Sequence, residues 1–337
     1  MSVGIDIGSK TIKVIELAWQ GNSPSLKSAA VIGIKEASVD KMADDVEFAN
    51  LAAKIKKLFA DAKISSKDVY IALPESLVFT RSIKFPPLTD QEIASAVKWQ
   101  AEEIIPIPIK EAIFQHIILE RRENTQPPEV LVLVVAAPRV LVEKYIKVLS
   151  LAGLSVVGVE TELIALTRSL APIGKTSLIV SIGAKSTDIA VAKNAKLVFS
   201  RTIATGGDAL TRIITQTMGI DPAQAEEYKK TYGFGTQLEG KVAAAITPVF
   251  KIIVEEIKKA VNFYQTDEKG DMPSVIVLSG GSAGIPDIAS TLAKMMGIEV
   301  VISDPFSKVA VAPEVLKNLK PYAPLYSVAV GLALKEG

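Results

Sequence analysis

Val3-Gly4-Ile5-Asp6-Ile7-Gly8-Ser9-Lys10-Thr11-Ile12-Lys13 has a counterpart in the second half of the chain, Ile179-Val180-Ser181-Ile182-Gly183-Ala184-Lys185-Ser186-Thr187-Asp188. The two stretches superpose without a gap, so that Asp6 falls opposite Ser181, Gly8 opposite Gly183 and Lys13 opposite Asp188. Each predicts a strand, a glycine hairpin tip and a second strand: Ser2–Ile7 and Thr11–Leu17 around the first glycine, Ser177–Ser181 and Asp188–Ala192 around the second. Either hairpin alone reads as an ordinary glycine turn. A chain whose two halves both open this way can clamp one polyphosphate between them. Glycine at the tip lets the backbone approach the phosphates, and successive N–H groups of the turn make an anion-binding concavity. Asp6 offers a carboxylate to Mg²⁺, through water, and Lys13 offsets phosphate charge.

Two further glycine pairs fit the same ligand. Ser279-Gly280-Gly281-Ser282-Ala283-Gly284 follows an apolar strand and precedes a helix, and ligands of α/β folds bind near such strand ends. Paired glycines there let an adenine or ribose lie flat on the backbone. Gly206-Gly207 precedes Asp208 and a helix, whose N-terminus is expected to face a phosphate.

Working outward, a third strand is expected at Ala30–Ile34, a helix at Glu47–Ala62 with Phe48, Leu51, Ala52, Ile55, Leu58 and Phe59 on one face, and a strand at Val69–Leu73. A new unit opens near Val78: a strand to Phe85, the breaker Pro86-Pro87, a helix N-capped by Thr89 with Glu92 completing a capping box, strands at Phe114–Leu119 and Val130–Ala136, a helix at Arg139–Leu151 and a strand at Ser155–Val159. The second half adds helices at Glu162–Leu170, Asp208–Met218, Pro222–Thr231, Thr247–Tyr264, Ile288–Met296 and Leu325–Leu334.

The bulk numbers exclude several classes. The 337 residues suggest two or three domains. Lys plus Arg is 38 against 37 for Asp plus Glu, so nothing marks a nucleic-acid or acidic-lipid binder. There is no Cys and one His, His116, which removes disulfides, thiolate metal sites and His-rich clusters. The mean hydropathy of +0.32 comes from many short apolar runs, as buried strands of an α/β sheet give. No run reaches the roughly 18 apolar residues of a membrane-spanning helix, and a reducing, cytoplasmic setting is expected.

In order, DxGS…K, IGxxSTD, TGGD, AExxK and SGGS resemble the actin, Hsp70 and FtsA superfamily over nearly the whole chain. The resemblance implies an α/β, actin-like duplicated RNase H-like fold. It implies a first phosphate loop of Asp6, Gly8, Ser9, Lys10, Thr11 and Lys13, and a second of Gly183, Ala184, Lys185, Ser186 and Asp188. Gly280, Gly281 and Ser282 become the adenosine motif. Gly206, Gly207 and Asp208 line the cleft, and Glu226, Glu227 and Lys230 sit near ribose and base. Asp6 and Asp188 become Mg²⁺ partners through water, and Glu160 stands where relatives orient the attacking water. On the same resemblance the chain divides into subdomain IA (1–77, 158–172 and 303–337), an FtsA-type insert 1C (78–157), IIA (173–205 and 273–302) and IIB (206–272).

The insert narrows the resemblance. FPPLTDQEIASAVKWQAEEIIPIPIKEA from Phe85, LVLVVAAPRVLVEKYIKVLSLAGL from Leu131 and AEEYKKTYG from Ala225 resemble PilM-like proteins of type IV pilus assembly. That implies an ATP-binding protein on the cytoplasmic face of the inner membrane, joined to other pilus assembly proteins through the short N-terminal cytoplasmic tail of PilN. The tail would lie in a groove between the first subdomain and the insert. Phe85, Leu88 and Trp99 are candidates to line it, although packing within the protein is an equal or stronger reading for all three. Ser181 stands where relatives that hydrolyse ATP carry Asp. A hydroxyl carries no charge for the metal, so slow or negligible hydrolysis is expected, at most a weak ATPase. An FtsA-like, filament-forming actin homologue of cell division is the alternative, against which stands the expected lack of an amphipathic membrane tail; self-association stays open. A sugar or acetate kinase, or the cytoplasmic part of a type II secretion protein, fits less well.

Overall fold

The computed structural model describes residues 1–123 and 126–335. Residues 124–125 and 336–337, within the expected segments 78–157 and 303–337, lie outside the described residues.

Strands β1 (Ser2–Ile7), β2 (Thr11–Gln20) and β3 (Ser23–Gly33) form an antiparallel meander, and helix α1 (Asp45–Asp61) carries the chain back to β4 (Asp68–Leu73), parallel to β1. Asp44 caps α1 by accepting from the Glu47 N–H, and the six apolar residues anticipated from periodicity are the ones it buries. β1 is buried at every position, which is why it reads as an apolar run rather than an alternation.

The chain then builds a smaller sheet from β5 (Phe79–Phe85), helix α2 (Asp90–Ile104), β6 (Ala112–Arg122) and β7 (Glu129–Pro138), in the order β5-β7-β6. Thr89 and Glu92 form the expected capping box on α2, which buries Ile93, Val97 and Ala101 against Phe85, Val130, Val132 and Val134. The other face of this sheet gives Leu119, Leu131 and Leu133 to the core of the second half.

Helix α3 (Arg139–Leu151) and strand β8 (Ser155–Thr161) return to the first sheet, completing the order β3-β2-β1-β4-β8. The insert was expected to run to residue 157. Strand pairing and packing end it near Pro138, because β8 pairs with β4 and Leu141, Val142, Tyr145, Val148 and Leu149 of α3 join the core beneath α1. A strand–helix–strand–strand–helix–strand string does not by itself say which sheet its last strand joins.

Helix α4 (Glu162–Leu170) leads into the second half: β9 (Thr176–Ile182), β10 (Thr187–Lys193), β11 (Lys196–Ile203), α5 (Gly207–Met218), α6 (Pro222–Tyr232), α7 (Lys241–Thr266), β12 (Ile276–Ser279), α8 (Ile288–Met296) and β13 (Val300–Ile302), followed by α9 (Pro313–Leu319) and α10 (Ser327–Ala333). Its sheet runs β11-β10-β9-β12-β13, a meander whose first strand is flanked by a parallel neighbour, as in the first sheet. The sequence repeat is therefore a repeat of sheets. α7 starts earlier than the expected Thr247 because Val242, Ala245 and Ile246 are buried, so packing holds the helix together ahead of Pro248.

Helices α4 and α10 fill the layer between the sheets. Leu163, Ala165, Leu166, Val328 and Leu332 belong to the second core, while Ala329, Val330 and Ala333 face β2 and the segment after β13. Contact here is close enough to require glycine: a Cβ on Gly331 would stand 1.9 Å from the Ala165 carbonyl oxygen.

Candidate functional site

The two hairpins close alike. Gly8 N–H donates to the Thr11 carbonyl at 3.1 Å, and Gly183 N–H to that of Ser186 at 2.9 Å. Antiparallel register then fixes the acids. Asp6 faces Lys13 across β1 and β2, and Asp188 faces Ser181 across β10 and β9. Asp6 and Lys13 form a buried ion pair at 2.8 Å. Asp188 accepts from Thr202 Oγ1 at 2.7 Å and more loosely from Ser186 Oγ at 3.4 Å. Burial nonetheless pushes the Asp188 carboxyl up to about 6.

Both hairpins open on one cavity of about 910 Å³ between the halves. Of the residues expected at a nucleotide, Asp6, Gly8, Ser9, Lys10, Thr11, Lys13, Gly183, Ala184, Lys185, Ser186, Asp188, Gly207, Asp208, Lys230, Gly280, Gly281 and Ser282 line it. Gly280 adopts φ +85°, and a Cβ there would sit 2.6 Å from the Ile182 carbonyl oxygen; only glycine carries β12 into the turn beside the second hairpin.

Four expectations change. Glu160 lies outside the cavity lining: Arg168 grips it through two 2.8 Å bonds and Lys335 through a third. Burial works to raise its pKa, and these cations outweigh it and hold the carboxyl below the usual range. Glu162, at the start of α4, borders the cavity where Glu160 does not. Burial, then the Asp188 and Asp6 charges, push it well above the ordinary carboxylate range, with Lys13 opposing. The helix starts at Glu162 as expected, but a strand residue and the first residue of the following helix point differently, and the sequence does not say which of the two faces the cleft. Second, Glu227 is exposed and outside the lining, whereas Glu226 and Lys229 line it. Lys229 is buried, donating to Glu226 at 2.7 Å, to Thr211 Oγ1 at 2.9 Å and to the Gly207 carbonyl at 3.1 Å. Burial works to raise the Glu226 pKa, and Lys229 and Thr211 overcome it to hold the carboxyl at about 2.

Third, the N-terminus of α5 is not free for a phosphate. Gly207 N–H donates to the Gly183 carbonyl and Asp208 N–H to that of Ala184, both at 2.8 Å, so hairpin carbonyls consume the donors a helix end usually leaves open. Gly206 packs behind this contact, outside the lining, where a Cβ would meet the Gly183 oxygen at 2.6 Å. Asp208 instead forms an ion pair with Lys10 across the cleft, joining the two halves. Fourth, Phe85 is 3% exposed in the core under α2, so it is unavailable to a partner; Leu88 packs partly against that core, and Trp99 stands 74% exposed on α2.

Two residues escaped sequence reasoning altogether. Glu75, between the cavity-lining Pro74 and Ser76, is buried, its Oε2 lacking a well-formed hydrogen bond. Burial raises its carboxyl to about 7, with Thr80 opposing and the Asp188 charge adding to the rise. Tyr322, on the segment before α10, lines the cavity rim.

Residues 4–337 match the family model of the type IV pilus assembly protein PilM. The chain belongs to the PilM family. A solved PilM-PilN type IV pilus biogenesis complex superposes with a TM-score of 0.85 at 29% identity, covering 99% of this chain and 97% of the other. Cell division protein FtsA of Streptococcus pneumoniae is 25% identical over 353 residues, 90% of this chain and 75% of FtsA. MreB 5 of Spiroplasma citri, solved bound to AMPPNP, shares the fold at a TM-score of 0.55 and 14% identity, over 98% of this chain and 93% of the other. The PilM family thus stands within the actin-like fold, as the duplicated sheets require. Among the described residues no helix is long and apolar enough to cross a membrane.

Proposed function

We propose that this PilM-family chain is an ATP-binding scaffold of type IV pilus assembly, cytoplasmic and peripheral to the inner membrane, that takes the N-terminal cytoplasmic tail of PilN and hydrolyses ATP slowly or not at all. The observation that carries the nucleotide reading is convergence: two glycine hairpins, their acids, and the Gly280-Gly281 turn border one cavity. Its volume of about 910 Å³ lies within the roughly 300–1,000 Å³ of small-molecule sites. The solved PilM-PilN complex supports the partner, and MreB bound to AMPPNP supports the ligand class.

The donor set fits Mg²⁺ held largely by water and phosphate. Asp6 and Asp188 both border the cavity, and among the described residues no three acidic or His side chains converge as a metal site. Bound there, the ion would neutralise phosphate charge. Slow hydrolysis follows from two features of the chain. Ser181 puts a hydroxyl where a carboxylate would add charge, and Glu162, the cleft carboxyl facing Asp6 and Asp188, is held towards its neutral form by burial. A neutral carboxyl is a poor acceptor for a water proton.

Calorimetric titration of Mg-ATP, ADP and GTP into the wild type and Asp6→Ala tests the reading. ATP binding lost in Asp6→Ala supports it; no nucleotide binding by the wild type overturns it and leaves a scaffold with a vestigial cleft.

A further inference from the structure

We infer that Tyr322 is an aromatic lid that stacks on the base of the bound nucleotide; this rests on the nucleotide reading above and adds a base-recognition residue to it. The residue sits on a 3₁₀ segment, Lys320–Tyr326, between α9 and α10. In that segment Ala323, Pro324 and Tyr326 are buried, while Pro321 and Tyr322 are exposed and border the cavity. The backbone is held firmly. The Pro324 carbonyl accepts from Ser279 Oγ at 3.3 Å and Ser327 Oγ at 3.1 Å, which ties the segment to the end of β12 just before the Gly280-Gly281 turn.

The helix type sets where the ring stands. A 3₁₀ helix has three residues per turn, so residues three apart share a face. Leu325 packs over the glycine turn, its Cδ2 lying 3.5 Å from the position a Cβ on Gly281 would take. Tyr322 therefore shares that face one turn earlier, about 6 Å along the segment, and borders the same cavity as the glycine turn. Gly284, at the far end of the turn, lines the same space, and a Cβ there would meet nothing within 4 Å. The cavity is thus bordered by bare glycine backbone and by an aromatic ring. A gap lined this way suits a flat, apolar, polarisable group rather than a charged one. The phosphate-side residues, Lys13, Asp6 and Asp188, belong to the hairpins, and the base of a nucleotide whose phosphates lie there extends towards this gap.

Tyr322 is 60% exposed. A large ring in water carries a standing hydrophobic cost, and stacking removes it. Stacking of a base on an aromatic side chain is worth roughly 1–3 kcal/mol, a factor of about 5 to 150 in affinity at 1.4 kcal/mol per tenfold.

The test is calorimetric titration of Mg-ATP and of ribose 5′-triphosphate, which lacks the base, into the wild type, Tyr322→Phe and Tyr322→Ala. The expected result is ATP affinity within about twofold of wild type for Tyr322→Phe, a 5- to 150-fold loss for Tyr322→Ala, and equal affinity of all three proteins for ribose 5′-triphosphate. Unchanged ATP binding by Tyr322→Ala, or an equal loss for both ligands, overturns the lid while leaving the nucleotide site intact. Failure of the wild type to bind ATP overturns the lid and the site together.

Discussion

Removing the Lys229 charge should cost more than removing both members of its ion pair. Lys229 is 5% exposed and its Nζ stands 2.7 Å from Glu226 Oε2, on the wall where α6 meets α5. The partners pull in opposite directions. Glu226, held at about 2 against an ordinary 4.5, gains from the folded state, whereas burial lowers the Lys229 pKa and costs stability. The pair's net worth is therefore less than the roughly 3 kcal/mol that the Glu226 shift alone implies at 1.36 kcal/mol per unit. Breaking one member is a different matter, because it strands the other; that costs about 3–5 kcal/mol when both are buried. The Glu226 side chain is 25% exposed and keeps Thr211 as a donor at 2.6 Å, so Lys229→Met should fall at the low end, about 3 kcal/mol. Glu226→Gln strands Lys229 in the same way, so Lys229→Met combined with Glu226→Gln should cost about 1 kcal/mol, well below the sum of the two single costs. Urea unfolding of the four proteins at pH 7 measures this. Costs that simply add would refute the ion-pair account.

Two other perturbations follow from the cleft. Gly280→Ala meets both a φ of +85° and an oxygen at 2.6 Å, and should destabilise by at least about 2 kcal/mol in the same urea assay, with loss of nucleotide binding. Glu75 has a folded-state pKa raised to about 7 from 4.5, so the native state holds its proton more tightly than the unfolded chain. Its contribution is complete below pH 4.5 and is lost as pH rises towards 7, an unfavourable slope totalling about 2–3 kcal/mol. Glu75→Gln should flatten the stability profile over that window and be the more stable protein at pH 8; a parallel profile would show that this carboxyl is ionised without penalty.

How much of this was legible in the sequence differs by level. The paired hairpins were, because Gly8 and Gly183 and the strands around them are local signals, and register then sets Asp6 against Lys13 and Asp188 against Ser181. The capping box at Thr89 and the buried face of α1 were readable for the same reason. What failed depended on distant partners. Glu160 faces Arg168 and Lys335 rather than the cleft, since the segment holding Lys335 comes back beside α4 from the far end of the chain. Lys229 looks like a solvated helix lysine until α5 is packed against it. Phe85 beside a proline pair suggests an exposed ledge, yet α2 folds over it. Tyr322 carried no motif at all, and its place at the cavity depends on serines of three separate segments, Ser279, Ser303 and Ser327, meeting behind it.

The small sheet is the part of the molecule through which a ligand in the cleft would be felt elsewhere. Pro74, Ser76 and Leu77 border the cavity, and the chain runs directly from them into β5. The same sheet is fastened to the second half: Ser82 Oγ donates to the Val198 carbonyl at 2.6 Å, Lys196 Nζ to the Leu119 carbonyl at 2.9 Å, and Lys84 pairs with Glu268 at 2.9 Å. It is thus held by both halves, while Lys10 and Asp208 bridge the halves at the cleft itself. Phosphates bound at the hairpins would compete with Asp208 for Lys10, and a resulting change in the angle between the halves would have to be accommodated at the small sheet. A tail peptide bound beside α2 would then have different affinities for the two states, and ATP would change its apparent affinity by that ratio and no more. Fluorescence anisotropy of a labelled PilN tail peptide, titrated with the protein with and without saturating Mg-ATP, should show a shift of at least about fivefold, the lower end of ordinary coupling energies. Trp99→Ala should weaken binding in both conditions without altering the urea midpoint, since the ring is exposed. Equal affinities with and without ATP would mean that the two sites share a fold but no energy.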